Sequence, residues 1–220
     1  MKFTSVFDII GPVMIGPSSS HTAGAARIGR IARDLFGRQP KWAKIHLYGS
    51  FAETYKGHGT DVALVGGLLD YETDDERIKT SFEEAQAAGL TFEFIPEQAH
   101  KEHPNTARIV MGDDESELSV EGISIGGGKI EISEVNGFKL RLTGGMPAII
   151  VVHNDRTGCI ANVANCLAMH DVNIGHMEVS RIERGQTALM VIEVDQNIDD
   201  RVIEQISYIP NIIKVSKINN

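Results

Sequence analysis

The residues best suited to chemistry form a short run of hydroxyl and imidazole groups near the start of the chain. Residues 16–22 read Gly-Pro-Ser-Ser-Ser-His-Thr and stand before a helical pattern. At a helix start, hydroxyls and unpaired backbone N–H groups lie together, and the helix dipole adds partial positive charge. Such a site suits a carboxylate or a phosphate. A cap needs only one of these residues, so three serines and a histidine indicate a binding site in addition to a cap.

A second candidate is the run Gly-His-Gly-Thr-Asp at residues 57–61. The glycines on either side let the backbone of His58 approach a ligand closely. An imidazole in such a loop is suited to general acid or base catalysis near neutral pH. The alternative is an incidental histidine in an exposed loop, and this run alone does not decide between the two.

Two further polar runs carry weaker signals. The His-x-x-His spacing of His100 and His103 permits metal ligation, but two imidazoles without a third ligand favour incidental surface histidines. The Gly-Gly-Gly-Lys run at 126–129 lacks the glycine spacing and the Ser or Thr of a phosphate loop. Because it falls between two strand patterns, we predict a hairpin or bulge there, and an enzyme acting on phosphate esters is a minor alternative.

A polar loop in the last third of the chain joins a predicted strand to a predicted helix. It reads His-Asn-Asp-Arg-Thr-Gly at 153–158, and Asn173 and Ile174 begin the neighbouring strand. A short polar loop that ends at a helix start suits the α-carboxylate of an amino acid. The alternative is ordinary turn chemistry, in which Asn, Asp and Gly are the commonest residues.

Composition excludes several classes of function. The 220 residues include 21 basic and 30 acidic side chains, for a net charge of −9, which disfavours nucleic acids and anionic membranes as partners. The apolar content of 42% is typical of globular proteins. No apolar run approaches the ~18 residues that span a bilayer, and residues 1–6 lack the features of a signal peptide. We therefore expect a cytoplasmic protein.

The two cysteines, Cys159 and Cys166, limit the metal chemistry of this chain. Their number is too small for a disulfide scaffold or for a four-cysteine zinc or iron–sulfur site built by this chain alone. Their spacing of seven places both on one side of a helix. We predict that both are small buried apolar side chains and that this chain holds no metal by itself.

The order of elements predicts an α/β (α+β) fold with domains at 1–145 and 146–220, joined by a Gly-Pro hinge at 143–147. In the first domain, Ile28, Ile31 and Leu35 belong to the apolar stripe of a helix that Gly37 ends. Asn136 and Gly137 predict a tight hairpin turn. The other predicted elements are helices 62–69 and 76–88 and strands 44–48, 90–95, 107–111, 118–124, 129–135 and 138–142.

The second domain shows the order β-α-β-β-α-β, which is the split βαβ or ferredoxin-like motif. Its predicted helix at 159–170 has Ile160, Val163 and Leu167 on one face, and Asp199 or Asp200 caps the second helix. The strands are predicted at 148–152, 173–182, 187–194 and 212–218, and the second helix at 199–206.

Taken in order, the motifs at 16–22, 56–61, 103–106 and 124–128 resemble the β chain of the iron–sulfur-dependent L-serine dehydratases of bacteria. The resemblance spans residues 1 to about 145, and the remainder resembles an ACT domain, an amino-acid-sensing module. The resemblance implies deamination of L-serine to pyruvate and ammonia at a 4Fe-4S cluster, one iron of which binds the substrate. It also implies that the cluster is ligated mainly by a separate partner α chain.

The resemblance also implies roles for individual residues. The catalytic candidates are His58, His21 and His103, with His58 as general base or as a group that orients the substrate. The substrate-binding candidates are Ser18, Ser19, Ser20, Thr22 and Asn105. The candidates for an amino-acid site, formed where two ACT domains pair in a homodimer and filled by L-serine or a related molecule, are His153, Asn154, Gly158, Asn173 and Ile174. The alternative is a non-catalytic regulatory protein that senses amino acids.

Overall fold

The computed structural model describes residues 12–219, so the N-terminal residues 1–6 discussed above lie outside it. The chain divides between Ser133 and Glu134 into two compact units, each built from helices and strands. The predicted α/β class is confirmed. The domain boundary at 145/146 stays a prediction. Within residues 12–219, no helix has the length and apolar character needed to cross a bilayer.

One long helix carries the first polar motif. It begins as a π-helical turn at Ser19–Ala23 and continues as α1 (Gly24–Phe36). The apolar stripe predicted for α1 is buried. Gly37 ends the helix with a φ of 90°, and its N–H donates to the Arg33 carbonyl. Both predictions, the stripe and the glycine stop, are confirmed because they depend on local periodicity and backbone freedom.

The first unit is organised around a sheet with the strand order β2-β1-β3-β4-β5. Strands β1 and β2 are parallel, whereas β1 with β3 and β3 with β4 are antiparallel. Helix α1 packs on β3 and β4. The strands are β1 (Trp42–Tyr48), β2 (Thr91–Pro96), β3 (Thr106–Gly112), β4 (Glu117–Gly126) and β5 (Lys129–Val135).

The remaining helices of this unit differ from the prediction in two places. One predicted helix is broken, and one observed helix was not predicted. The segment predicted as one helix over 76–88 is a 3-10 turn, Glu76–Thr80, followed by the helix α4 (Ser81–Ala87). The break falls at the buried Ser81, whose Oγ donates to the Val62 carbonyl at 2.7 Å and ties this junction to α3 (Thr60–Leu68). The sequence did not predict α2 (Ser50–Thr54).

Helices α1 and α3 pack with their backbones in close contact at two glycines. A Cβ atom on Gly67 would lie 2.1 Å from the carbonyl oxygen of Ala26, and one on Gly29 would lie 2.3 Å from that of Leu64. No side chain fits at either position, so the two glycines set the separation of the helices. This contact brings the starts of both helices, which carry the two strongest motifs, to one region of the unit.

The second unit contains a four-stranded antiparallel sheet in the order β10-β7-β9-β8. With two helices in the order β-α-β-β-α-β, it confirms the predicted ferredoxin-like arrangement. Asn136 and Gly137, both at positive φ, form the predicted turn into β6. The elements are β6 (Phe138–Leu142), β7 (Ala148–Asn154), α5 (Cys159–Met169), β8 (Ile174–Arg181), β9 (Thr187–Val194), α6 (Asp200–Ser207) and β10 (Ile212–Ile218).

The buried side of α5 differs from the predicted one. Cys159, Val163, Cys166 and Leu167 enter the core, so the prediction of two buried cysteines is confirmed. The prediction that Ile160 shares this face was wrong, because Ile160 is 45% exposed. Once the two cysteines occupy the core-facing positions, a residue one step along the helix is turned outward by about 100°.

Candidate functional site

The first polar motif folds around the imidazole of His21. Ser18 caps the helix, and its Oγ accepts the backbone N–H of His21 at 3.1 Å. The hydroxyl of Ser20 lies 3.1 Å from His21 Nδ1 and 3.3 Å from Ser18 Oγ. The Ser19 hydroxyl makes no hydrogen bond to any residue within 12–219. Ser18 and Ser20 are thus engaged with His21, and Ser19 is the serine of the three that is not.

The structure brings His21 and His58 together. Their ring centroids are 5.0 Å apart and the rings are almost perpendicular, at 89°. Phe51 contacts the His21 ring as well, at 5.3 Å between centroids. Burial lowers the pKa of His21 and the neighbouring His58 lowers it further, so the fold favours the neutral form of this ring. His58 is exposed, and its ring is accessible from solvent.

A buried threonine ties the two motifs to each other. Thr22 is 2% exposed, and its Oγ1 donates to the carbonyl oxygen of His58 at 2.9 Å. This bond fixes the backbone of the glycine loop against the helix start and does not involve the His58 ring. The structure therefore gives the Thr22 hydroxyl a protein partner, and its predicted contact with a substrate stays a prediction.

The end of β4 reaches the same helix start. Ser124 is fully buried, and its Oγ donates to the Ser20 carbonyl at 2.8 Å. A Cβ atom on Gly24 would lie 2.1 Å from Ser124 Oγ, so only glycine permits this approach. The Ser124 N–H donates to the Asn105 carbonyl at 2.9 Å. Asn105 is thus linked through Ser124 to the helix start.

His103 lies on the loop before β3 and is held separately. Its Nδ1 accepts the backbone N–H of Asn105 at 3.1 Å, so the proton of the neutral ring is on Nε2. In the part of the chain that the structure describes, no hydrogen bond or ring contact joins His103 to His21 or His58. The grouping of all three histidines at one catalytic centre stays a prediction.

Beside His103 is an open cleft of about 520 Å³. Two of its charged side chains are already paired: Glu97 with His46 at 2.7 Å, and Lys101 with Glu121 at 2.7 Å. Paired charges attract a charged ligand weakly. Glu53 also lines the cleft, so carboxylates and an ammonium group occur together and the lining does not indicate the charge of a substrate.

The residues present do not fit an iron–sulfur cluster held by this chain. Both cysteines are buried in the hydrophobic core of the second unit. Among residues 12–219, no three His, Cys, Asp or Glu side chains are grouped so that they could hold a metal ion. The part of the chain that the structure describes therefore offers no ligand set for such a cluster.

Sequence reasoning missed Ser50, whose Oγ lies 2.9 Å from His21 Nε2. Ser50 is the first residue of α2, a helix of one and a half turns. The sequence did contain a signal, because Ser50 and Glu53 have the Ser-x-x-Glu spacing typical of a helix start.

The predicted amino-acid site of the second unit divides into two groups of residues. Asn154 and Gly158 are exposed, whereas His153 is buried at 2% exposure inside β7. The Nδ1 of His153 donates to the Asn154 carbonyl at 2.8 Å, and its Nε2 has no partner within residues 12–219. Asn173 donates to the Asp195 carboxylate at 2.6 Å.

These two groups lie at opposite ends of the sheet in one chain. His153 pairs with Ala188 of β9, whereas Ile174 pairs with Val194 of the same strand. Six residues of β strand separate the two positions, which corresponds to roughly 20 Å. One chain alone therefore does not bring the groups together, and the predicted site requires a second copy.

Comparison with known proteins decides the family. Residues 5–135 match the family model described as "Serine dehydratase beta chain", and residues 148–211 match the ACT domain model. The chain belongs to the serine dehydratase beta chain family. It is 66% identical to the "Probable L-serine dehydratase, beta chain" of Bacillus subtilis (strain 168), over 99% of both chains. The resemblance predicted from the sequence is thereby confirmed.

More distant relatives of this serine dehydratase beta chain family member have two different names. The "L-serine dehydratase, beta chain" of Peptoniphilus asaccharolyticus is 39% identical over 87% of each chain. The "D-3-phosphoglycerate dehydrogenase" of Bacillus subtilis (strain 168) is 24% identical over 89% of this chain and 37% of its own length. Sequence similar to most of this chain therefore also occurs within a longer protein named for another activity.

Proposed function

We propose that the chain is the β subunit of an iron–sulfur-dependent L-serine dehydratase. Together with a partner α chain that carries a 4Fe-4S cluster, it deaminates L-serine to pyruvate and ammonia. The observation that supports this best is the pair of imidazoles, His21 and His58, at 5.0 Å beside a helix start rich in hydroxyls. The names of two relatives, 66% and 39% identical, agree with this reaction.

The chain's own residues supply a base and a binding site in this proposal. The α-proton of L-serine must pass to a base, and the exposed imidazole of His58 is the accessible one of the pair. The Ser19 hydroxyl at the helix start binds the substrate carboxylate. His103 and Asn105 complete the pocket on the side of β3. Because the two cysteines are buried in another unit, we assign the cluster ligands to the partner chain.

The second candidate function is a non-catalytic sensor of amino acids. The observation in its favour is the dehydrogenase relative, which is similar to 89% of this chain. A sensor needs to bind an amino acid but has no use for a general base. The exposed His58 beside a half-buried imidazole, whose neutral form the fold favours, therefore favours the dehydratase.

A reconstitution experiment tests the proposed function. The chain is purified alone and, in parallel, together with a cysteine-bearing α chain under anaerobic conditions with iron and sulfide. We expect the lone chain to be colourless and inactive on L-serine, and the complex to be brown and to form pyruvate. Pyruvate formation by the lone chain, insensitive to oxygen and chelators, would contradict the two-chain proposal. Binding of L-serine without turnover in a brown complex would support the sensor.

A further inference from the structure

Ser50 is placed by backbone contacts that do not involve its hydroxyl. The preceding Gly49 has a φ of 52°, and a Cβ atom there would lie 2.7 Å from the Pro104 carbonyl oxygen. The N–H of Phe51 donates to that same oxygen at 3.4 Å, and Thr54 Oγ1 donates to the Ser50 carbonyl at 2.7 Å. The start of the short helix α2 is therefore anchored against Pro104, whereas the Thr54 bond lies within the helix. The Ser50 side chain is free to make a separate contact.

That contact is with His21. Ser50 Oγ lies 2.9 Å from His21 Nε2, and this is the one hydrogen bond that the Ser50 hydroxyl makes within residues 12–219. On the other side of the ring, Nδ1 lies 3.1 Å from Ser20 Oγ. The imidazole is thus held at both nitrogens by hydroxyls, one from the neighbouring Ser20 and one from Ser50, which lies 29 residues further along the chain than His21. With the edge contact from Phe51, rotation of the ring would break at least one of these interactions.

We propose that Ser50 is a positioning residue that holds the His21 ring against His58 for the dehydratase reaction. This inference rests on the proposed function. Ser50 acts through His21 and does not contact the reacting atoms. The His21 ring in turn meets the exposed imidazole of His58, the group to which we assign the proton transfer.

A hydroxyl suits this task better than a charged group. It donates or accepts a hydrogen bond, so it matches His21 in either neutral tautomer. A carboxylate at the same place would favour the imidazolium form. A second positive charge 5.0 Å from His58 would oppose the uptake of a proton there. The burial that lowers the pKa of His21 is consistent with a neutral ring.

Kinetics of the assembled enzyme test the role. We expect Ser50→Ala to lower kcat for L-serine by about 10- to 100-fold with KM changed less than about threefold, because a misplaced group weakens the transition state more than ground-state binding. Ser50→Thr keeps the hydroxyl and should restore kcat to within about threefold. The matched control is Thr54→Ala, which alters the same helix but not the imidazole contact and should leave kcat within about threefold.

Imidazole nitrogen NMR of the free chain tests the contact without any turnover. With 15N-labelled histidine, a His21→Gln variant identifies the ring signals of His21. We expect Ser50→Ala to shift the Nε2 signal of His21 and Ser50→Thr to leave it near the wild-type position. An unshifted signal overturns the proposal, as does a shifted signal combined with a Ser50→Ala kcat within threefold of wild type. If every assembled form is inactive on L-serine, the proposed function fails, whereas the NMR result still decides whether Ser50 holds His21.

Discussion

His58 and His21 are chemically distinct although their rings touch. His21 is half-buried and hydrogen-bonded at both ring nitrogens, whereas the His58 ring is exposed and fixed mainly by its contact with His21. The backbone of His58 is held through its carbonyl by Thr22. This arrangement combines a fixed backbone with a ring that a substrate can reach, which is what a general base requires.

We expect His58→Ala to lower kcat of the assembled enzyme by about 10²–10⁴, the usual contribution of a positioned acid or base. Pyruvate formation under saturating L-serine measures this effect. A kcat within threefold of wild type would show that the base lies elsewhere, with His21 and His103 as the next candidates.

Ser19→Ala tests substrate binding, in contrast to His58→Ala, which tests the proton transfer. A hydroxyl that binds the carboxylate does so in the ground state and in the transition state alike, so its loss should raise KM by about tenfold and leave kcat nearly unchanged. Initial rates over a range of L-serine concentrations separate the two constants. A fall in kcat with an unchanged KM would assign Ser19 to the chemical step instead.

At the scale of the element, the packing of α1 on α3 determines where both motifs begin. We expect Gly67→Ala to lower the free energy of unfolding by about 2 kcal/mol, because its Cβ would meet a backbone carbonyl that moves only if the helices separate. The melting temperature should fall by roughly 4–8 °C. Thermal unfolding followed by circular dichroism measures the change.

The adjacent Gly66 provides the control. A Cβ at Gly66 would lie 3.1 Å from Ile78 Cγ1, which belongs to a side chain that is able to shift. Both substitutions gain the same helix propensity, about 1 kcal/mol. Gly66→Ala should therefore melt close to wild type, and equal losses in both variants would contradict the close-packing argument.

A charged cluster formed by α1 and the segment that follows α3 predicts a pH-dependent stability. Asp34 of α1 lies near Asp70 and Glu72, while Arg30 and Arg33 compensate in part. Burial, with the two acidic neighbours, raises the pKa of Asp34 to about 6 in spite of the arginines. A raised carboxyl pKa means that the folded state disfavours the ionised form. This penalty is absent below the unfolded pKa, grows as the pH rises from there to the folded pKa of about 6, and is fully present above it.

We expect Asp34→Asn to stabilise the chain at about pH 8 and to have little effect at about pH 4, because the amide removes the cost of ionisation. After allowance for solvent screening, the gain at pH 8 is about 1 kcal/mol, or roughly 2–4 °C in melting temperature. Melting curves at the two pH values check it. A gain of equal size at both would show that the effect does not come from ionisation.

At the scale of the whole molecule, the amino-acid site predicted for the second unit requires a second copy of the chain. Asn154 and Asn173 lie at opposite ends of one sheet, in which β8 is an edge strand. In a homodimer through residues 146–220, the β7–α5 loop of one copy would approach the start of β8 in the other. L-serine or a related amino acid would then bind between the two copies.

We expect L-serine at a hundredfold excess over its Kd to stabilise this dimer by about 2.7 kcal/mol. The melting temperature should rise by roughly 5–10 °C, and much less with D-serine. Asn154→Ala should remove the shift and leave the dimer intact by light scattering. A monomer, or equal shifts with both enantiomers, would contradict this site. A shift that survives Asn154→Ala but is lost in Ser19→Ala would place the binding in the first unit.

The sequence by itself determined the order and kind of most elements. The α1 stripe, the stop at Gly37, the Asn136-Gly137 turn and the cap at Asp199 all appear where predicted. These features depend on side-chain periodicity, backbone freedom and capping, which act over a few neighbouring residues. The succession of motifs was equally local, and it was sufficient to predict the family that the comparisons confirm.

Only the tertiary structure decided which groups meet. Ser50 lies 29 residues from His21, in a helix too short to show a periodic pattern, and its 2.9 Å contact depends on the turn at Gly49 against Pro104. The exposure of Ile160 likewise depended on which side of α5 the sheet covers. Contacts of this kind depend on how helices, strands and loops that are distant in the sequence pack on one another. Rules based on neighbouring residues do not describe how distant elements pack, so the geometry of the site could be seen only in the folded chain.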